Sequence, residues 1–168
     1  MMRVLAAARQ LALPDWWVGA GFVRAKVWDA LHGRTGRTAL DDIDLLYFDP
    51  GNRDPACEAG YEVRLSALLA DAPWSVKNQA RMHLKNGDAP YRDTCDAICH
   101  WLETATCVAV RLDPDGGLRL LAPFGLDDLL DLRLRPTPSG RRRIDAYRQR
   151  LDGKDWPRCW PRLTVERG

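Results

Sequence analysis

The stretch Gly19-Ala20-Gly21-Phe22-Val23-Arg24, followed by Asp42-Ile43-Asp44, indicates the fold of this chain. The apolar run at 16–18 predicts a short strand that enters a tight turn at the glycines. Apolar residues then recur at helical spacing over 22–32. The run of β-formers at 43–48 predicts a second strand, which opens with the two aspartates. A strand, a glycine turn, a helix and an Asp-x-Asp strand therefore follow one another.

The elements on either side of this stretch predict a mixed α/β (α+β) fold. The turn sequence Asp113-Pro114-Asp115-Gly116-Gly117 predicts a hairpin between two short strands. With it, the order of elements favours one domain over 1–168 with a small mixed sheet and flanking helices. The other predicted helices lie at 4–13, 61–69, 79–84, 94–102, 126–132 and 139–151, and the other strands at 74–76, 107–112 and 118–122.

Composition excludes several classes of protein. Hydrophobic residues make up 46% and charged residues 29% of the 168, as in ordinary globular proteins. A net charge of +2 gives no general attraction to nucleic acid, so a basic site would have to be local. No apolar run reaches the roughly 20 residues that a membrane span needs, and the first residues lack the apolar core of a signal peptide. We therefore expect no membrane partner, a cytoplasmic location and free thiols at all five cysteines.

The aspartate pair is the candidate metal site. Side chains alternate along a strand, so Asp42 and Asp44 point to the same side, about 6–7 Å apart, while Ile43 points into the core. Two carboxylates on one face repel each other unless a cation lies between them, and oxygen ligands favour a hard ion such as Mg²⁺. Phosphoryl-transfer sites use this arrangement, in which the metal in turn holds a phosphate.

The glycine turn is the candidate phosphate site. Gly19 and Gly21 allow the backbone to approach a ligand closely, and the helix that follows offers free N–H groups to an anion. Arg24, in its first turn, adds a fork-shaped donor. A Gly-x-Gly alone is often only a turn, and an Asp-x-Asp alone is often only a strand end. The absence of a third glycine disfavours a dinucleotide fold.

A polar cluster follows the strand at 74–76. It forms either a second wall of the site, with Lys77 and Arg81 neutralising phosphate and Asn78 and Gln79 hydrogen-bonding a ligand, or a solvated turn of mixed charge. His83 is more often structural. Cys95, Cys99 and His100 have the spacing of a helical metal pair, but paired short Cys spacings are absent, which favours buried thiols.

Together these residues resemble the DNA polymerase beta-like nucleotidyltransferase superfamily, which includes CCA-adding enzymes and poly(A) polymerases. The signature is Gly-Gly-x-Val-Arg before Asp-x-Asp, and here Ala20 stands between two glycines. Residues 42–49, 74–83 and 123–129 are similar to a family of small bacterial nucleotidyltransferase-like proteins. The resemblance implies a nucleotidyltransferase fold and transfer of a nucleoside monophosphate from an NTP to an unknown acceptor, with Mg²⁺ (or Mn²⁺) as cofactor. The acceptor would be a small molecule, a protein or RNA.

The resemblance also implies a third carboxylate on the next strand, and none is present there. Asn78 is the residue expected in its place, as a neutral metal ligand and a poor base, with Asp49 and Glu62 as substitutes from elsewhere. The alternative function is a catalytically degenerate module that binds a nucleotide or a partner without turnover. An RNA-binding protein is a third hypothesis, which rests on the arginine-rich helix at 139–151.

Overall fold

The computed structural model describes all residues from Met1 to Gly168. Five strands form one mixed sheet in the order β3-β2-β1-β4-β5, and two further strands form a small second sheet. The predicted class, a small mixed sheet flanked by helices, is confirmed. The strands are β1 (Trp17–Gly19), β2 (Ile43–Tyr47), β3 (Trp74–Asn78), β4 (Ala109–Leu112), β5 (Leu118–Leu121), β6 (Arg133–Leu134) and β7 (Thr164–Val165).

Nine helices lie before and between the strands. A 3₁₀ turn at Thr104–Thr106 leads into β4. The helices are α1 (Met2–Arg9), α2 (Gly21–Leu31), α3 (Pro55–Leu68), α4 (Gln79–Asn86), α5 (Thr94–Cys99), α6 (Asp127–Leu130), α7 (Pro138–Arg142), α8 (Ile144–Gly153) and α9 (Trp156–Cys159).

Strand β2 lies between two neighbours of opposite direction. It pairs antiparallel with β1 and parallel with β3. Ile43, Leu45 and Tyr47 pack into the main hydrophobic core, whereas Leu46 packs into a smaller cluster on the other face. Because side chains alternate along a strand, Asp44 shares the face of Leu46. The predicted hairpin is confirmed, with β4 and β5 paired antiparallel across the turn.

Helix α3 covers the edge of the sheet at β3. Two glutamates one helical turn apart accept hydrogen bonds from the edge of that strand: Glu62 Oε1 from Val76 N at 2.8 Å and Glu58 Oε1 from Asn78 N at 2.9 Å. These bonds satisfy edge N–H groups that would otherwise be unpaired. The helix begins earlier than the predicted residue 61, because Asp54 caps it and Pro55 occupies its first position.

The C-terminal region differs most from the prediction. The single helix predicted over 139–151 is two helices, α7 and α8, separated at Arg143, whose backbone (φ −112°, ψ 49°) is not helical. Gly140 in α7 packs so closely on the carbonyl of Leu102 that a Cβ atom would have no room. The parallel pair β6–β7 was not predicted, because neither strand exceeds two residues.

Two expectations from composition can be compared with the structure. All five cysteines are free thiols in the structure. None of the helices combines the length and the apolar character that crossing a membrane requires.

Candidate functional site

A cleft of about 370 Å³ opens over the face of β2 that carries Asp44 and Leu46. The lining comes mainly from β2, α4, the segment from α5 to the 3₁₀ turn, and two arginines of the C-terminal region, Arg143 and Arg150. The lining residues are Ala20, Asp44, Leu46, Lys77, Gln79, Met82, Lys85, Asn86, Tyr91, Ala97, His100, Trp101, Leu102, Glu103, Thr106, Arg143 and Arg150.

The glycine turn between β1 and α2 borders this cleft. Gly19 has no room for a side chain. A Cβ atom there would lie 3.2 Å from Leu46 on β2, from Ala109 on β4 and from the carbonyl of Val108 just before β4. Ala20 has φ 52° and ψ −126°, a conformation that favours glycine. Helix α2 then begins at Gly21. The turn thus needs a glycine at residue 19 for lack of space and a glycine-like backbone at residue 20, which is an alanine.

The two aspartates lie where the sequence predicted them, at the start of β2. Asp44 is half-buried and lines the cleft, whereas Asp42 is exposed, just before the strand. Burial and, to a lesser extent, the charge of Asp42 together raise the pKa of Asp44 to about 6. Arg150, Lys77 and Arg24 oppose this rise. The carboxylates are therefore close enough to repel each other across the mouth of the cleft.

The register of β3 corrects the expected position of the third carboxylate. Ser75, not Asn78, pairs with Asp44, and paired residues of parallel strands point to the same face. Asn78 pairs with Tyr47 on the core face. A serine thus lies beside Asp44 on the neighbouring strand.

The amide of Asn78 is fully used in the fold. Its Nδ2 donates to the carbonyls of Asp49 and Asn52, both at 2.8 Å, and its Oδ1 accepts from Asp49 N and from Ala80 N. It is 1% exposed. Asn78 therefore caps α4 and anchors the loop after β2, which leaves it no free atom for the metal role expected from the sequence.

The structure turns Arg24 inward. Its side chain is buried, its Nη1 donates to Thr106 Oγ1 at 2.8 Å, and its guanidinium lies 4.4 Å from the ring centre of Trp156 and 5.1 Å from that of Trp28. Burial lowers its pKa to about 10, so it stays charged at neutral pH. Arg24 thus places a positive charge beneath the turn rather than in open solvent.

Lys77 and Arg81 both contact Glu58 but differ in their access to the cleft. Arg81 donates from Nε and Nη2 to the two oxygens of Glu58, at 2.7 and 2.5 Å, and does not line the cleft. Lys77 lines it, with Nζ bonded to Val76 O at 2.8 Å and paired with Glu62 at 3.4 Å. Of the two cations that the sequence suggested, only Lys77 therefore faces the cleft.

The sequence interpretation missed most of the cleft-lining residues that follow α4 in the chain. Glu103, 1% exposed, contributes a buried carboxylate, and Arg150 pairs with it. Tyr91 donates to Asp88 Oδ2 at 2.7 Å and stacks on His100. The only sequence signal for Glu103 was an isolated acid in the apolar run at 101–108, which does not identify a partner.

A divalent ion fits the aspartates with few protein ligands. No cluster of three or more His, Cys, Asp or Glu side chains has the geometry of a metal site. No hydrogen bond to Asp44 offsets the rise in its pKa. Mg²⁺ commonly takes one or two carboxylates and completes its shell with water and substrate phosphates. Asp42 and Asp44 match that donor set, whereas a fully protein-ligated site is absent. Cys95, Cys99 and His100 form no metal cluster either.

The fold and this cleft define a nucleotidyltransferase-type domain, in which a glycine turn leads into a helix beside an Asp-x-Asp strand. The chain belongs to the nucleotidyltransferase family, whose model matches residues 6–165. The resemblance noted in the sequence is thereby confirmed. No curated protein matches the sequence.

Solved structures are similar over almost the whole chain. A protein whose NMR structure reveals a CCA-adding enzyme head domain has 32% identity and a TM-score of 0.88, with 98% of this chain and 88% of that one covered. The Thermotoga maritima CCA-adding enzyme complexed with tRNA has 18% identity and a TM-score of 0.52 over 98% of this chain. A tRNA-processing enzyme in its apo form has 17% identity and a TM-score of 0.57. This chain spans 38% and 42% of those two proteins, which share its fold.

Proposed function

We propose that this protein is a metal-dependent nucleotidyltransferase that moves a nucleoside monophosphate from an NTP to an acceptor, within one domain over 1–168. The observation that carries the proposal is Asp44, a half-buried carboxylate that faces the cleft and interacts with the charge of Asp42. It lies next to the glycine turn, since Ala20 lines the same cleft. Membership of the nucleotidyltransferase family supports nucleotidyl transfer as the general reaction.

The roles of the residues follow from their positions. Asp42 and Asp44 would hold Mg²⁺ or Mn²⁺, which when bound neutralises phosphate charge and makes the α-phosphate a better electrophile. The backbone of Gly19 and Gly21 and the start of α2 would face the phosphates. Arg24 would support them from beneath with its buried charge, and Lys77 from the side of β3.

A second candidate function rests on Ser75. The residue paired with Asp44 on β3 is a hydroxyl, so no third carboxylate is available there to accept the proton of an attacking hydroxyl. This observation favours a module that binds a nucleotide without turnover. Transfer activity separates the two functions, whereas nucleotide binding is common to both.

For the acceptor, we infer RNA as the first class to test, with small molecules and proteins as the alternatives. The structure at 32% identity is described as a CCA-adding enzyme head domain, and the Thermotoga maritima enzyme is complexed with tRNA. The chain spans 38% of that enzyme, so an RNA-binding region need not be shared.

The binding experiment is a calorimetric titration of NTP with and without Mg²⁺. Two carboxylates repel a triphosphate unless a divalent ion lies between them, so Mg²⁺ should raise NTP affinity in the wild type. In Asp42→Asn/Asp44→Asn this increase should largely disappear. Asp41→Asn is the matched control, because its side chain is exposed and pairs with Lys154 instead. Equal binding in EDTA by the wild type would refute the metal role.

The transfer experiment uses labelled NTPs with Mg²⁺ or Mn²⁺ and three acceptor pools: total RNA, proteins and small molecules from a cell extract. Label that enters one pool, and fails to do so with Asp42→Asn/Asp44→Asn, identifies the enzyme and its acceptor class. Metal-dependent NTP binding without label transfer to any pool would favour the binding module.

A further inference from the structure

Arg150 brings a partly free guanidinium from the C-terminal helix α8 into the cleft. Its Nε lies 2.6 Å from Glu103 Oε1, although the two atoms are not aligned for a hydrogen bond. Neither Nη1 nor Nη2 has a partner in the chain, and the side chain is 37% exposed. A guanidinium held by one edge, with its remaining donors free, is suited to an incoming anion.

Two separate chains of side-chain contacts, called routes below, connect Arg150 to the glycine turn. Arg150 and Arg24 both lie against the ring of Trp156, at 5.3 and 4.4 Å from its centre. The Nη2 of Arg24 lies 3.7 Å from where a Cβ atom of Gly21 would be. The first route therefore runs from α8 through one indole ring to the first turn of α2.

The second route passes through the 3₁₀ turn. Arg24 donates to Thr106 Oγ1 at 2.8 Å, and Glu103 immediately precedes the same turn and pairs with Arg150. Ala20, Glu103, Thr106 and Arg150 all line one cleft. Because both routes lead to the same place, Arg150 lies on the side of the cleft next to the start of α2.

The other cations of the cleft are less suited to this role. Lys77 is bonded to Val76 O and paired with two glutamates. Arg143 donates from Nη2 to Ser139 Oγ and to the carbonyl of His100. Lys85 has no partner but is exposed on α4, whereas Arg150 is held by Glu103 and Trp156.

We propose that Arg150 forms the polyphosphate subsite of the cleft and binds the β- and γ-phosphates of a nucleoside triphosphate. The proposal rests on the proposed function for the identity of the ligand, but the anion site is defined by Arg150 and its neighbours. Glu103 positions the guanidinium through Nε, and Trp156 supports it from behind. The C-terminal helices α8 and α9 therefore complete the site.

The probe is inorganic tripolyphosphate, titrated calorimetrically in EDTA. The parent protein of every variant in this experiment is Asp42→Asn/Asp44→Asn, so that neither the two carboxylates, which repel the anion, nor an ion between them contributes. Arg150→Gln should weaken binding roughly ten-fold or more, because it removes charge-assisted hydrogen bonds. Arg142→Gln is the matched control: the same charge is lost from an exposed residue outside the cleft, and affinity should change less than two-fold. Lys85→Gln tests the competing cation of the cleft in the same way.

Loss of Arg150 alone leaves the buried charge of Glu103 without its partner, so the single variant can lose stability. The double variant Glu103→Gln/Arg150→Gln removes both charges and should fold while still binding tripolyphosphate at least ten-fold more weakly. The proposal would be overturned by any of three results: unreduced affinity in this folded double variant, no measurable binding by the parent protein, or a loss confined to Lys85→Gln.

The result is independent of the proposed function. If Arg150→Gln lowers tripolyphosphate affinity while no NTP label is ever transferred, the subsite stands and the enzyme assignment fails. If transfer depends on Asp42 and Asp44 but Arg150→Gln leaves tripolyphosphate affinity unchanged, the enzyme assignment stands and the subsite fails.

Discussion

Substituting Ala20 by glycine should stabilise this protein, although glycine usually destabilises. The backbone of Ala20 has φ 52° and ψ −126°, where a Cβ atom is strained and glycine is not. The conformation is held from both sides, because Ala20 N donates to Val108 O while Ala20 O accepts from Val23 N and Arg24 N. The residue cannot relax without disturbing the start of α2.

The expected change in the free energy of unfolding is the sum of one favourable and two unfavourable contributions. Relief of backbone strain contributes about 2 kcal/mol, the middle of the range for such residues. The greater freedom of glycine in the unfolded chain offsets about 0.7 kcal/mol. Loss of a methyl group that is 8% exposed offsets up to about 0.8 kcal/mol. The net effect is a stabilisation of about 0.5 kcal/mol.

Urea denaturation of Ala20→Gly and a control variant measures this effect. Ala59 lies at an exposed position within α3, where glycine should cost about 1 kcal/mol. The two variants should therefore differ by about 1.5 kcal/mol in their free energies of unfolding, well outside the error of comparing two midpoints. If Ala20→Gly lowers stability as much as Ala59→Gly does, the backbone at Ala20 is not strained.

Three further predictions follow from the site and its surroundings. The pKa of Asp44 is raised from 3.8 to about 6 in the native state, which therefore binds a proton that the unfolded state has already lost. In EDTA, the free energy of unfolding should fall as the pH rises from 3.8 to about 6. This fall should be of order 1–3 kcal/mol between pH 4.5 and 7 in the wild type and absent in Asp44→Asn, as measured by urea denaturation at the two pH values. The same pH profile in both proteins would contradict the raised pKa. Ser75→Asp places a third carboxylate beside Asp44 on the same face, and calorimetry should detect tighter Mn²⁺ binding, whereas unchanged affinity would mean that the two side chains do not converge. Glu58→Gln should lower the free energy of unfolding by about 1.5–3 kcal/mol in chemical denaturation, because Arg81 and Lys77 lose their shared buried partner. A loss below about 0.5 kcal/mol would rule out a structural role for these two ion pairs.

The parts of the site that lie close together in the sequence were predictable. The glycine turn, the start of α2 and the aspartates of β2 all follow from local rules on turns, helix starts and strand alternation. The structure places Ala20 and Asp44 on one cleft. Local rules also gave the hairpin of β4 and β5, whose turn is a strong sequence signal.

The parts that depend on pairing between distant segments were not predictable. The sequence placed a strand near residue 74 but could not set its register against β2, so Asn78 was expected where Ser75 lies. A shift of three residues also reverses the face of the side chain. Arg24 and Arg81 occupy helices as expected, but whether a helical arginine turns inward depends on tertiary partners such as Trp156 and Glu58.

Several unfavourable features of this fold lie at the cleft, which is an argument for function independent of any resemblance. Seven buried side-chain polar atoms lack a hydrogen-bond partner, and four of them belong to residues that line the cleft: His100, Glu103, Arg143 and Arg150. A fifth belongs to Arg24, beneath the glycine turn. The strained backbone of Ala20 and the raised pKa of Asp44 lie at the same place. Such groups destabilise a fold unless a ligand compensates them, and they persist where binding or chemistry requires them. A cation at the aspartates would offset the repulsion between Asp42 and Asp44, and a phosphate anion would accept hydrogen bonds from the donors of Arg150 that its pairing with Glu103 leaves free.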